Sequence, residues 1–106
     1  MKRIKKFRIP LSSDTILDVK IEVERGEIQE FALNLRCKID NKWREIYRID
    51  TAHGYLHEQK YWLSAKPIPS TQQISMQHAF EHYMDLIKNN FERYKRYHLE
   101  KMRRSN

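Results

Sequence analysis

Arg48, Asp50, His53, His57 and Lys60 fall in one short stretch of this chain, interleaved with Tyr55, Tyr61 and Trp62. At neutral pH an imidazole can take up or release a proton, so His53 and His57 could act as base and acid toward one substrate if the chain brings them together. Asp50 is placed to orient a ring by hydrogen bonding, and Arg48 and Lys60 to hold a phosphate and stabilise the charge that builds on it. Tyr55, Tyr61 or Trp62 could stack a base. Such a set suits cleavage of RNA without a metal or other cofactor, in which the 2′-hydroxyl attacks the adjacent phosphate. Thr51 reads as a hydroxyl that caps the loop rather than as a nucleophile.

The same residues also support plainer readings. Asp50-Thr51 followed by Gly54 is ordinary turn chemistry, and the aromatic residues could simply anchor the loop against a sheet edge. The spacing Asp50-x2-His53-x3-His57 offers three acceptable metal ligands, but Gly54 works against the helix that would bring both rings to one face, so no metal is expected. His78, His82 and Asp85 do have helical spacing, yet they fall opposite the apolar stripe of their segment and are expected in solvent. His98 falls near that stripe and is expected as a partly buried packing residue. Cys37 sits in an apolar alternation, which points to a packed thiol and a reduced compartment, with the cytoplasm as the default.

The elements that must position these groups are legible from periodicity. From Phe7 to Asp50 the apolar period is two: Phe7, Ile9 and Leu11, then Leu17, Val19, Ile21 and Val23, then Phe31, Leu33, Leu35, Cys37 and Ile39. A three-residue loop Glu24-Arg25-Gly26 would pair Val19 with Phe31 and Leu17 with Leu33. A like loop at Asp40-Asn41-Lys42 would pair Ile39 with Trp43, Leu35 with Tyr47 and Leu33 with Ile49, leaving Asn34, Arg36, Arg44, Arg48 and Asp50 on the opposite, polar face. Residues 51–71 read as a His-bearing loop, marked by Gly54, Pro67 and Pro69. Met76, Phe80, Tyr83, Met84, Ile87, Phe91 and Tyr94 recur at three- and four-residue steps, which predicts a helix over 72–98 with Ser70 or Thr71 as N-cap and a basic tail over 99–106. The expected fold is α+β, a four-stranded antiparallel meander over residues 2–50 packed against one long C-terminal helix in a single domain.

Charge is concentrated at the ends. Of a net +7, residues 2–8 supply five bases and no acid, and residues 88–106 seven bases against two acids; the stretch between carries nine bases and twelve acids. Lys2, Arg3, Lys5, Lys6, Arg93, Lys95, Arg96, Arg103 and Arg104 are therefore the expected contacts to a polyanion, RNA ahead of DNA and both ahead of a membrane. No apolar run approaches the roughly 20 residues that cross a bilayer, and no secretory h-region follows the basic N-terminus.

The segment Tyr47-Arg48-Ile49-Asp50-Thr51-Ala52-His53-Gly54, with His57 and Tyr61, resembles the Y-D-T-A-H-G…H…Y signature of small archaeal and bacterial proteins. The layout of strands, His-bearing loop and C-terminal helix is similar to the TumE-like toxins of toxin-antitoxin modules. The resemblance implies a toxin-type, RNA-directed domain with Asp50, His53 and His57 at the signature positions and a helix-rich, DNA-binding antitoxin as partner. A homodimer is a further expectation. The leading expectation is thus a toxin-type, RNA-directed protein, for which metal-independent endoribonuclease chemistry is the activity its loop residues would support; the alternative is a non-catalytic module that binds nucleic acid or a protein partner through its basic ends.

Overall fold

A computed structural model describes residues 2–51, 56–63, 68–69 and 75–104. Strands β1 (Lys2–Ser12), β2 (Thr15–Glu24), β3 (Glu27–Ile39), β4 (Lys42–Asp50) and β5 (His57–Lys60) form one antiparallel sheet in chain order, extended by the two-residue β6 (Ile68–Pro69). Helix α1 (Met76–Arg104) packs against one face of it. The architecture is the expected α+β, with five strands against the helix rather than four. The chain after Asp50 turns back onto β4, setting His57 opposite Asp50, Glu58 opposite Ile49, Gln59 opposite Arg48 and Lys60 opposite Tyr47. All four residues of β5 are polar, so no apolar alternation announces this strand.

Both long hairpins close through two residues with positive φ, not through the three-residue loops expected. Arg25 and Gly26 have φ of 54° and 77°, and Asp40 and Asn41 have 53° and 64°, the left-handed pair that matches the twist of the flanking strands. A two-residue turn alone would send one apolar set to the wrong face, and the chain restores the facing with one extra residue in each hairpin. In the first, Gln29 is passed over, so that Leu17 faces Leu35, Val19 faces Leu33 and Ile21 faces Phe31. The expected pairs of that hairpin are therefore two residues out of register. In the second, Leu35 meets Tyr47 and Leu33 meets Ile49 as expected, but Ile46 is passed over and Ile39 meets Lys42 in place of Trp43. Ile46 and Tyr47 are consequently both buried, Arg44 moves to the side of Cys37, and Trp43 is left exposed.

The core lies between α1 and the sheet. Leu17, Leu33, Leu35, Ile46, Ile49 and Ile87 are fully buried, each side chain of this kind stabilising the fold by about 1.5–3 kcal/mol. Phe80 meets Phe31 edge-on at 5.6 Å, and Tyr47, Trp62 and Tyr94 form a stacked cluster in which Tyr94 lies 5.0 Å from each of the other two and Tyr47 6.2 Å from Trp62. Cys37 is fully buried, and burial pushes its thiol pKa up, which suits a packed thiol.

Ser75 caps α1: its Oγ accepts from the His78 amide at 3.1 Å, and its carbonyl from the Ala79 amide at 2.9 Å. Ser70 and Thr71 lie outside the described residues. The helix continues to Arg104, through most of the expected tail, because Tyr97, Leu99 and Met102 still pack on the core. Lys101, Arg103 and Arg104 in the last turn also suit the negative end of the helix dipole. His78, His82 and Asp85 are exposed, as their spacing predicts, and His98 is half-buried. Among the described residues no helix is long and apolar enough to cross a membrane.

Candidate functional site

The face of the sheet turned away from α1 is built from the residues that alternate with the core, and strand pairing sets them in rows. One row runs Lys6, Lys20, Ala32, Asp50, His57, and the next runs Arg8, Asp18, Asn34, Arg48, Gln59. Ala32 is short among long neighbours, and the face is hollowed around it. A hollow of ≈ 160 Å³ is lined by Lys20, Glu22, Glu30, Phe31, Ala32, Arg48, Asp50 and Thr51. A wider one of ≈ 460 Å³ is lined by Lys6, Phe7, Arg8, Asp18, Val19, Lys20, Ala32, Asn34 and Arg48. Lys20, Ala32 and Arg48 border both.

The charges on this face are partly paired. Nε of Arg8 donates to Oδ1 of Asp18 at 2.8 Å, and Arg36 holds the other carboxylate oxygen. Burial pushes the Asp18 carboxyl up, but the hydrogen bonds from Arg8 and Arg36 outweigh it and the pKa falls below the usual range. Nε of Arg48 donates to Oδ2 of Asp50 at 2.7 Å. Two like-charged pairs stand directly across the ladder, Lys6 with Lys20 and Glu22 with Glu30. Its hydrogen bond with Glu22 and the repulsion between the two carboxylates raise the pKa of Glu30. Oδ1 of Asn34 and Nε of Arg36 are buried with no hydrogen-bond partner among the described residues.

Of the residues singled out by sequence, Arg48, Asp50 and His57 come together on this face. Nε2 of the His57 ring is shut off from solvent. Thr51 is buried and ties the end of β4 to β3, its hydroxyl accepting from the Phe31 amide at 2.9 Å and donating to the Phe31 carbonyl at 3.2 Å. This fixes where Asp50 stands, in keeping with the capping role read for Thr51. The Tyr61 hydroxyl donates to Oε1 of Glu45 at 2.8 Å, and burial together with that bond pushes its pKa up to about 12. His53 and Tyr55 lie outside the described residues.

Other expected members stand elsewhere. Lys60 is paired with Tyr47, which puts it on the α1 side of the sheet, away from Arg48, with Nζ 3.8 Å from Glu58. Trp62 is packed against Tyr47, Tyr94 and Tyr97 and so serves the core. The basic ends do not merge into one surface. By strand alternation Lys2 and Lys6 lie on the open face and Arg3 and Lys5 on the other, while Arg93, Arg96, Arg103 and Arg104 are exposed on α1 across the sheet. Lys95 is half-buried and ion-paired to Asp14. Sequence reading placed Asn34 and Arg36 on the face of Arg48 and Asp50 without giving them a role, and it missed Lys20, Asp18 and Arg8 as their neighbours. Their signal was the polar half of the β alternation, which only the register converts into neighbours.

Among the described residues no group of three or more His, Cys, Asp or Glu is arranged to hold a metal ion. What the fold and site define is a small α+β domain, a meander backed by one helix, with a charged and hollowed sheet face that no other described element covers. The chain belongs to the family described as Domain of unknown function (DUF7718), which it matches over residues 1–104. No curated protein and no solved structure matches it.

Proposed function

We propose that this protein is an RNA-directed domain of the toxin type that takes the phosphodiester backbone on the sheet face away from α1. The observation that supports this most is the convergence of Arg48, Asp50 and His57 on that face, beside two hollows bordered by Lys20 and Arg48. Guanidinium and ammonium groups there can pair with phosphate oxygens, and amide and imidazole groups can meet base edges or the 2′-hydroxyl. Such contacts select a polyanion by charge and a strand by shape. RNA is the first candidate and DNA the second, with a helix-rich antitoxin as protein partner, a second copy of the chain as a further one, and the cytoplasm as compartment.

Cleavage is the second reading, favoured by the direct pairing of Asp50 with His57. In it the His57 ring takes the 2′-hydroxyl proton as that oxygen attacks phosphorus, Arg48 stabilises the charge on the phosphorane, and the 5′-oxygen leaves with a proton from an acid, for which His53 is the candidate. The closure of Nε2 from solvent puts binding ahead of cleavage.

Incubation of the purified protein with single-stranded and with structured RNA in EDTA tests both readings, by anisotropy for binding and by gel for cleavage. Salt-dependent binding that Arg48→Ala weakens about tenfold is expected. Equal binding by wild type and Arg48→Ala would contradict the proposal. Cleavage that survives His57→Ala in a folded protein would remove the second reading.

A further inference from the structure

We propose that Lys6 and Lys20 form a phosphate subsite in the wider hollow. The proposal rests on the RNA reading above and adds where one phosphate sits.

The two lysines stand directly opposite each other on β1 and β2, an arrangement that repels and is normally avoided between neighbouring strands. Among the described residues neither has a hydrogen-bonded or salt-bridged partner, whereas Arg8 is held by Asp18 and Arg48 by Asp50. The hollow carries four cations against one carboxylate, Asp18. That carboxylate is already engaged by Arg8 and by Arg36. Glu22 and Glu30 line the adjoining hollow with Lys20, and Glu30 feels its charge, but neither is within salt-bridge distance of it, so a positive excess remains in the wider hollow at the pair. A phosphate seated between the two ammonium groups turns their repulsion into two attractions. Ala32, in the same row as the lysines, leaves the room in which it can sit.

Thermal unfolding of wild type and Lys20→Gln, with and without inorganic phosphate at fixed ionic strength, tests the subsite, together with anisotropy of a labelled oligouridine. Phosphate is expected to raise the Tm of wild type and not that of Lys20→Gln. Without phosphate, Lys20→Gln is expected to melt no lower than wild type, because one repulsive partner is gone. For oligouridine, Lys20→Gln should weaken affinity about tenfold and flatten the slope of log affinity against log salt by about 0.7, one phosphate contact on a single strand. Equal protection of wild type and Lys20→Gln by phosphate overturns the subsite, as does a lower Tm for Lys20→Gln without phosphate. Oligouridine bound equally by both forms overturns the subsite while leaving the RNA reading standing. Phosphate protection lost in Lys20→Gln, with oligouridine bound by neither form, upholds an anion site and removes RNA as its source.

Discussion

Arg48 and Asp50 stand two residues apart on one face of β4, and Nε of the arginine donates to Oδ2 of the aspartate at 2.7 Å. The carboxylate therefore engages the guanidinium that borders both hollows. Asp50→Asn should release it and remove a negative charge, tightening RNA binding by about three- to tenfold at low salt. If cleavage also occurs, the same variant should slow it while binding tightens. Weaker binding by Asp50→Asn would show that the carboxylate itself touches the ligand, contrary to the role given it here.

Trp62 packs with Tyr94 at 5.0 Å and with Tyr47 at 6.2 Å, holding the chain after β5 onto the helix. Trp62→Ala should therefore cost about 3 kcal/mol of stability, measured by urea unfolding. A fully stable variant with weakened RNA binding would return Trp62 to the base-stacking role first read from sequence.

Tyr47 is fully buried, and its hydroxyl donates to Oε2 of Glu58 at 2.6 Å. Burial and that bond hold the phenol protonated well above its ordinary range. Tyr47→Phe keeps the stack and removes only the donor, so about 1–2 kcal/mol should be lost in denaturant titration. An unchanged midpoint would mean that Glu58 finds an equal partner elsewhere.

The pairing of Asp14 with Lys95 joins the β1–β2 turn to α1. Chiefly through the hydrogen bond from Lys95, and then that from Ser12, the Asp14 pKa is lowered to about 2 from 3.8. A carboxylate whose folded pKa lies below its unfolded value contributes stability above the unfolded pKa and loses it as pH falls through the folded one. This contribution should therefore be complete above about pH 4 and fade toward about pH 2. Because the Asp14 side chain is 40% exposed, solvent screening should keep it below about 1 kcal/mol. Acid titration of wild type and Asp14→Asn should diverge in this window; parallel curves would show the pair to be energetically silent.

How far the sequence could be read follows from what each signal encodes. Alternation of apolar residues from Phe7 to Ile49 and the helical stripe from Met76 to Tyr94 both report burial, so the sheet and helix were legible and their packing followed. Register was less so, because Gln29 and Ile46 are extra residues that no local pattern marks, and each moves its hairpin relative to a turn that is one residue shorter than expected. β5 was invisible because His57, Glu58, Gln59 and Lys60 carry no apolar signal. Once β5 is paired, alternation alone sends His57 and Lys60 to opposite faces, which the sequence reading of one loop had kept together. Asn34 and Lys20 enter the site for the converse reason: far apart along the chain, they become neighbours only across β2 and β3.

The most direct test of where RNA sits is the backbone amide spectrum of the labelled protein titrated with a short oligouridine. Shifts are expected to concentrate at Lys6, Lys20, Ala32, Asn34, Arg48 and His57, in two adjoining rows of the face turned away from α1. Shifts confined instead to Arg93, Arg96, Arg103 and Arg104 on α1, or none at saturating oligouridine, would contradict the assignment of that face as the nucleic-acid surface.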